Sequence, residues 1–334
     1  MRLITRSDFD GLVCAVLLKA AGIINSRKFV HPKDVQDGII EVFNDDVLAN
    51  VPYVKGCGLW FDHHSSEEQR VPECSSFEGC FQMEADSTAR VIFQYYGGHE
   101  RFGHHFDDLL LAVDKSDSAK FAIDDIVNPK GSVLLSFIMD ARTGLGRYRD
   151  YRISNYELMD QLIEYCQTKP VDEILQLPDV KERVERYLKH QEWFLTTLKK
   201  HSWADGNVLV TDFRSLDETP AGNRFLVYTL FPETNISIRA FKGKLGNTVF
   251  AVGYNIFNKT SNTDVGSLML KYGGGGHIKA GTCQVENNMA DAVLAEMVEQ
   301  MKKDGPLPAT AEMVEQMKKD SPVQAAAERV SSSQ

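Results

Sequence analysis

The fold is decided by residues 2–21, which read Arg2-Leu3-Ile4-Thr5, then Arg6-Ser7-Asp8-Phe9-Asp10-Gly11, then Leu12 to Ala21. A short apolar strand runs into an acidic turn, and the turn into a helix rich in Ala and Leu. Strand, polar loop and helix in that order make the first β-α step of a parallel sheet, so an α/β domain is expected here. Further strands are expected at 38–43, 47–49 and 58–61. Helices are expected from the cap Asp86-Ser87-Thr88 to about Tyr96, and from Asp107 to Val113, ending at Asp114-Lys115-Ser116-Asp117. A long charged helix is expected from Val171 to His201, broken near Pro178.

From Gly206 the pattern changes. Strands at 207–212, 236–240 and 248–253 are separated by Gly and Asn turns, and the segment 265–270 reads as a helix. A strand at 281–285 and a closing helix at 286–303 follow. We therefore expect a first domain at 1–190, a helical connector at 191–205, a second domain at 206–303 and a tail at 304–334. The segment Ala295 to Asp304 recurs word for word as Ala311 to Asp320. Two readings stand: a helical interaction module with Met297, Val298 and Met301 on one face, or a redundant, frayed copy at the chain end.

The chain of 334 residues carries 37 Lys and Arg against 47 Asp and Glu, a net charge of -10 that argues against long duplex DNA in a basic groove. A small phosphate ester held at a metal site stays compatible, because a bound cation dominates its local field. Hydrophobic residues at 43% and charged residues at 25% exclude wholesale disorder. No apolar run is long enough for a membrane span, and the N-terminus lacks a secretory core, so a cytoplasmic protein is expected. The six cysteines show no metal-ligand spacing, and Cys14 and Cys283 read as small buried hydrophobes.

Three clusters carry the chemistry. Asp8 and Asp10 follow the first strand, Asp62-His63-His64 follows Leu59-Trp60-Phe61, and Asp114 follows Leu109 to Val113. In an open α/β sheet, groups at the carboxyl ends of strands converge on a ligand. Carboxylates with imidazoles, and no thiolate beside them, suit Mn²⁺ or Mg²⁺. A fourth cluster, Gly273-Gly274-Gly275-Gly276-His277, can bring backbone N–H groups close to an anion, with His277 donating to a phosphate oxygen.

These residues resemble the DHH phosphoesterase superfamily, which includes nanoRNases, cyclic dinucleotide phosphodiesterases, family II pyrophosphatases and single-strand exonucleases. Asp8-Phe9-Asp10-Gly11 resembles its first motif, Asp62-His63-His64 the motif that names it, and Asp114 the next metal-binding acid. Gly273 to His277 resembles the signature of the C-terminal DHHA1 domain. Residues 56–64 and 222–228 are most similar to proteins described as exopolyphosphatase-related. The resemblance implies a doubly wound parallel-sheet domain, a smaller α/β cap, and a cleft holding up to two Mn²⁺ ions, with Mg²⁺ as an alternative. It implies Asp8 on one ion, Asp10, His63 and Asp114 on the other, and Asp62 orienting a ligand. It places His64 on the substrate phosphate or the leaving oxygen, and Arg239, Gly274, Gly275, Gly276 and His277 on phosphates.

The sequence departs from that pattern twice. Ile4 stands where many members have a histidine, and Asn50 stands where a bridging Asp is usual. An amide oxygen is a weaker ligand than a carboxylate, so one firm and one weaker metal site are expected. Asp45 and Asp46, or His104 and His105, are the nearby groups that could compensate. The expected function is a phosphohydrolase acting on a short oligonucleotide, a cyclic dinucleotide or polyphosphate. The alternative is a weakened relative that binds such a ligand without efficient turnover. A homodimer stays open from sequence.

Overall fold

A computed structural model describes residues 1–68, 76–243 and 246–305. The chain forms two compact units, Met1–Phe121 with Pro129–Leu188, and Ala122–Asn128 with the chain from Lys189 onward.

The first unit holds five strands, β1 (Arg2–Arg6), β2 (Ser26–Val30), β3 (Asp46–Ala49), β4 (Leu59–Asp62) and β5 (Gly79–Phe81). All pair in parallel, in the order β2-β1-β3-β4-β5. The strand order reverses between β1 and β3, which opens a crevice at their carboxyl ends. Asp8 caps the helix Phe9–Ala20, accepting the Gly11 N–H at 2.9 Å. Every residue of that helix from Phe9 to Leu18 is buried, so it is a central rather than a surface helix. Gly11 lets it start tight on β1, since a Cβ there would lie 2.0 Å from the Arg6 carbonyl oxygen. On the sheet, Trp60 is fully buried with Ile4, Leu48 and Val51 and donates its Nε1–H to the Val51 carbonyl at 3.0 Å. Truncation of Trp60 to Ala is the single change most damaging to this face, at about 3–5 kcal/mol.

The second unit is a six-stranded mixed sheet of β6 (Ser202–Asp205), β7 (Val208–Asp212), β8 (Ile236–Lys242), β9 (Thr248–Tyr254), β10 (Gly275–His277) and β11 (Ala280–Val285). Their order is β10-β11-β9-β8-β7-β6, and only β7 and β8 run parallel. Alternate residues Ile236, Ile238 and Ala240 of β8, with Phe250 and Val252 of β9, build one apolar face. Two helices cover it, Val265–Leu270 through Leu268 and Met269, and Ala290–Asp304 through Val293, Met297, Val298 and Met301. The first copy of the repeated segment thus belongs to a core helix. The second copy, Ala311 to Asp320, lies outside the described residues, as does Cys74.

Two local expectations need correction. No strand forms at 38–43, where Ile39 and Ile40 donate backbone N–H groups to the Asp34 carbonyl and close the turn after the helix Pro32–Gln36. The edge strand β2 stands in its place, with only Val30 buried, so its sequence carries little apolar signal. The helix begun at Asp107 does not end at Asp114 but runs on to Ser118. Among the described residues no helix is long and apolar enough to cross a membrane.

Candidate active site

Asp8, Asp10, Asn50, Asp62, His63 and His64 all lie at or just beyond the carboxyl ends of β1, β3 and β4. Asp10 is 2% exposed and caps the helix Thr88–Tyr95, accepting the Ala89 N–H at 2.9 Å and the Thr88 N–H at 3.1 Å. Burial pushes its carboxyl up to about 7, with the negative charges of Asp117 and Asp8 adding to the rise and His63 opposing it. Asp8 is raised as well, mainly by burial, against the pull of Arg6 at 3.0 Å.

Asp62 is 1% exposed and accepts the backbone N–H groups of His63 and His64 at 2.7 and 3.1 Å. The same oxygen meets His64 Nδ1 at 2.6 Å, which fixes the His64 ring and directs its Nε2 away from Asp62. His63 bonds the Ala85 carbonyl through Nδ1 at 2.9 Å, leaving Nε2 as its free face. That Nε2 lies 2.7 Å from Asp117 Oδ2, buried and without hydrogen-bond alignment. Burial pulls the His63 pKa down, but Asp117 and Asp10 outweigh it and raise it to about 9. Asp117 is lowered in return: burial works against its charge, and contact with His63 prevails.

Asp114 takes no part in this group. Its Oδ1 accepts from Ser87 Oγ at 2.7 Å and its Oδ2 from Arg90 Nε at 2.9 Å, so it ties down the start of the helix Thr88–Tyr95. The acid that faces His63 is Asp117, one helical turn further along the Asp107–Ser118 helix. Apolar periodicity stops at Val113, one turn before the helix does, and so points to the first acid rather than the second. The i, i+3 spacing of Asp114 and Asp117 on a continuing helix was the available signal.

Asn50 has a left-handed φ of 56° and donates its Nδ2–H to Asp8 Oδ1 at 2.9 Å. Its Oδ1 is buried with no hydrogen-bond partner. Neither group of possible substitutes reaches this place. Asp46 lies at the other end of β3, paired with Arg2 at 2.7 Å, while His104 pairs with Asp107 and His105 bonds the Cys166 carbonyl. Ile4 is fully buried in the core. Arg142, which the sequence did not suggest, is held by Asp140 at 2.8 Å, and its charge acts on Asp8 and Asp117.

The donor set fits a divalent ion. Ligand atoms of His63, His64 and Asp117 lie within 4.8 Å of one another, and Asn50 Oδ1 is a buried acceptor with no hydrogen-bond partner. With its raised pKa His63 carries a proton at neutral pH, which a dication binding at Nε2 would displace.

In the second unit, Arg239 on β8 is half-buried, donates to the Arg224 carbonyl at 3.2 Å and lies over Phe213. Burial lowers its pKa, and among the described residues no carboxylate pairs with it. The glycine run is a hairpin arm rather than an open loop, with Gly275 to His277 paired to β11. A Cβ at Gly274 would lie 2.1 Å from the Thr282 carbonyl oxygen, and one at Gly276 would lie 2.3 Å from that of Ala280. Packing thus accounts for those two glycines. Gly275 faces open space, and His277 is exposed.

No protein-family model and no curated protein matches this chain. Solved structures do. The pGpG-specific phosphodiesterase PggH from Vibrio cholerae is 46% identical, with a TM-score of 0.81, covering 91% of this chain and 99% of that one. RecJ from Thermus thermophilus, solved with Mn²⁺, is 15% identical at TM-score 0.54, over 92% of this chain and 52% of that one. An exopolyphosphatase-related protein from Bacteroides fragilis is 11% identical at TM-score 0.51, over 90% and 92%. The last two likenesses speak for the fold.

Proposed function

The chain belongs to the DHH phosphoesterase superfamily and is a hydrolase, and we propose that it is a divalent-metal-dependent phosphodiesterase cleaving a short linear dinucleotide of the pGpG kind. The observation that carries this reading is 46% identity over 99% of the pGpG-specific phosphodiesterase. A small anionic diester also suits a chain of net charge -10, which lacks the basic excess that long nucleic acids demand.

In this reading His63, Asp117, Asp10 and Asp8 hold the metal, Mn²⁺ or Mg²⁺, and His64 faces the substrate phosphate. When bound, the metal supplies a nucleophilic water near neutral pH and offsets charge on the phosphoryl oxygens. Asp62 and the Ala85 carbonyl lock the two imidazole rings, so each presents Nε2 without a search over rotamers. Burial works against the charged form of His64, yet Asp62 outweighs it and raises the pKa, which keeps a proton available for the leaving oxygen. Arg142, beside Asp8 and Asp117, is placed to grip a phosphate oxygen. In the second unit, Arg239, Gly275 and His277 are the groups we assign to phosphate binding. Asn50 donates its amide N–H to Asp8 and offers a metal only its neutral Oδ1, so the second ion would bind more weakly than the first. That residue is also what favours the second reading, a protein that binds the dinucleotide and turns it over slowly.

The test is turnover of pGpG, a longer oligoribonucleotide, a cyclic dinucleotide and polyphosphate while Mn²⁺ is titrated. Conversion of pGpG to GMP, faster than any of the others, is expected. Binding of pGpG without turnover at any Mn²⁺ concentration overturns the enzyme reading.

A further inference from the structure

A second group of metal-binding side chains lies outside the active site. His99, His104 and Asp107 offer three ligand atoms within 4.8 Å of one another. His99 Nε2 is 2.8 Å from Asp107 Oδ1, and His104 Nδ1 is 2.7 Å from Asp107 Oδ2. One carboxylate therefore joins two imidazoles whose ring centres are 4.5 Å apart.

The chain is shaped to bring them together. Gly98 and Gly103, both near φ 60°, bracket the single helical turn His99–Phe102 and reverse the backbone on either side of it. The His99 ring meets the buried Phe93 edge-on at 5.2 Å, which holds its orientation. Asp107 opens the Asp107–Ser118 helix, and its carboxyl is held below the ordinary value by His104 and then His99, so it stands ready as an anionic ligand. None of these contacts serves the active site. Asp107 precedes Asp117 by ten residues of helix, about 15 Å along the axis.

We propose that His99, His104 and Asp107 form a second metal site, taking a borderline divalent ion, zinc by preference, with its fourth position open to water. Two imidazoles and one carboxylate are a nitrogen-rich set suited to Zn²⁺, whereas Mn²⁺ prefers oxygen donors. Zn–N bonds of roughly 2.0–2.1 Å place tetrahedral ligand atoms ~3.3 Å apart, so the two imidazole–carboxylate contacts of 2.8 and 2.7 Å open slightly on binding. The ion replaces the two imidazole protons and clips the turn after the Thr88–Tyr95 helix to the start of the Asp107–Ser118 helix. The site does not depend on the phosphodiesterase reading.

The experiment counts Zn²⁺ on the full chain, by calorimetry and by metal analysis after desalting. It compares the wild type with a His99→Gln, His104→Gln double variant, each with and without His63→Ala. The expected result is the loss of one Zn²⁺ per chain in the double variant on both backgrounds, with melting in chelator and Mn²⁺-supported turnover unchanged on the background that keeps His63. Equal Zn²⁺ counts overturn the proposal. His104→Gln alone is the safeguard against misfolding, since the His104 side chain is 79% exposed. It must weaken Zn²⁺ binding at this site at least tenfold, and unchanged binding also overturns the proposal.

Discussion

The two ends of strand β3, four residues long, are built to opposite rules. At the amino end, Asp46 is 1% exposed and fully answered: Arg2 Nε and Nη2 each meet one of its oxygens at 2.7 Å, and the Phe43 N–H adds a third bond. At the carboxyl end, Asn50 leaves its Oδ1 unanswered beside Asp8, while His63 Nε2 and Asp117 face each other out of alignment. Both ends bury polar groups, and only one satisfies them. An unpaired buried polar group costs roughly 1–3 kcal/mol, so such a cluster persists in a fold where something outside the chain completes it. Burial therefore does not distinguish the two ends of β3; the satisfaction of their polar groups does.

The sharpest way to break this contrast is to remove a group from the carboxyl end. His63→Ala or Asp117→Asn should lower Mn²⁺-supported turnover by more than about 100-fold, the upper range for residues that merely support a ligand. Metal analysis should show the same loss of the stronger-bound ion. Asp114→Asn is the control, because its carboxylate serves Ser87 and Arg90. Its effect should fall on the melting temperature, and a metal loss equal to that of Asp117→Asn would refute the division between the two acids. One step smaller is Asp62→Asn, which loosens both backbone N–H contacts and the His64 ring. Turnover should drop about 10–100-fold with metal content kept, measured at saturating Mn²⁺.

Much of this was legible in the chain itself. The Asp8-Phe9-Asp10-Gly11 turn and the Asp62-His63-His64 run fall at strand ends because apolar strands stop where the sheet meets solvent. What misled was helix length. Val113 is the last apolar residue of its helix, so periodicity ends there, yet Lys115, Ser116 and Ser118 continue the helix on its polar side and carry Asp117 to His63. Arg142 was invisible for another reason. It sits in a 3₁₀ turn capped by Asp140, far along the chain from Asp8, and only tertiary contact pairs their charges. The glycine run has the composition of an anion loop, yet Gly274 and Gly276 are needed simply to lie against β11.

Asn50→Asp sharpens the contrast from the opposite direction. A carboxylate there should tighten the second ion beyond the tenfold scale of supporting residues, while its charge beside Asp8 lowers the melting temperature of metal-free protein. Calorimetric Mn²⁺ titration and melting in chelator read the two effects separately. An unchanged second-ion affinity would show that Asn50 does not face the metal.

The amino end offers the mildest test, because activity should not respond at all. Asp46→Asn removes the charge that Arg2 grips, at a cost near the lower half of about 1.5–3 kcal/mol, since Arg2 is 31% exposed and partly screened by solvent. Turnover per folded molecule should equal that of the wild type. The pH dependence follows from the direction of the shift. Burial alone raises the Asp46 pKa, but the hydrogen bonds from Arg2 and Phe43 outweigh it and hold it below the ordinary 3.8. A carboxyl with a lowered folded pKa stabilises fully above its unfolded pKa and loses that stabilisation as pH falls through the folded one. The gap in stability between wild type and variant should therefore be constant near neutrality and shrink below about pH 4, as urea unfolding at stepped pH would report. A gap that instead widens with acid would mean that Arg2 does not set the charge state of Asp46, and the satisfied end of β3 would lose its distinction from the unsatisfied one.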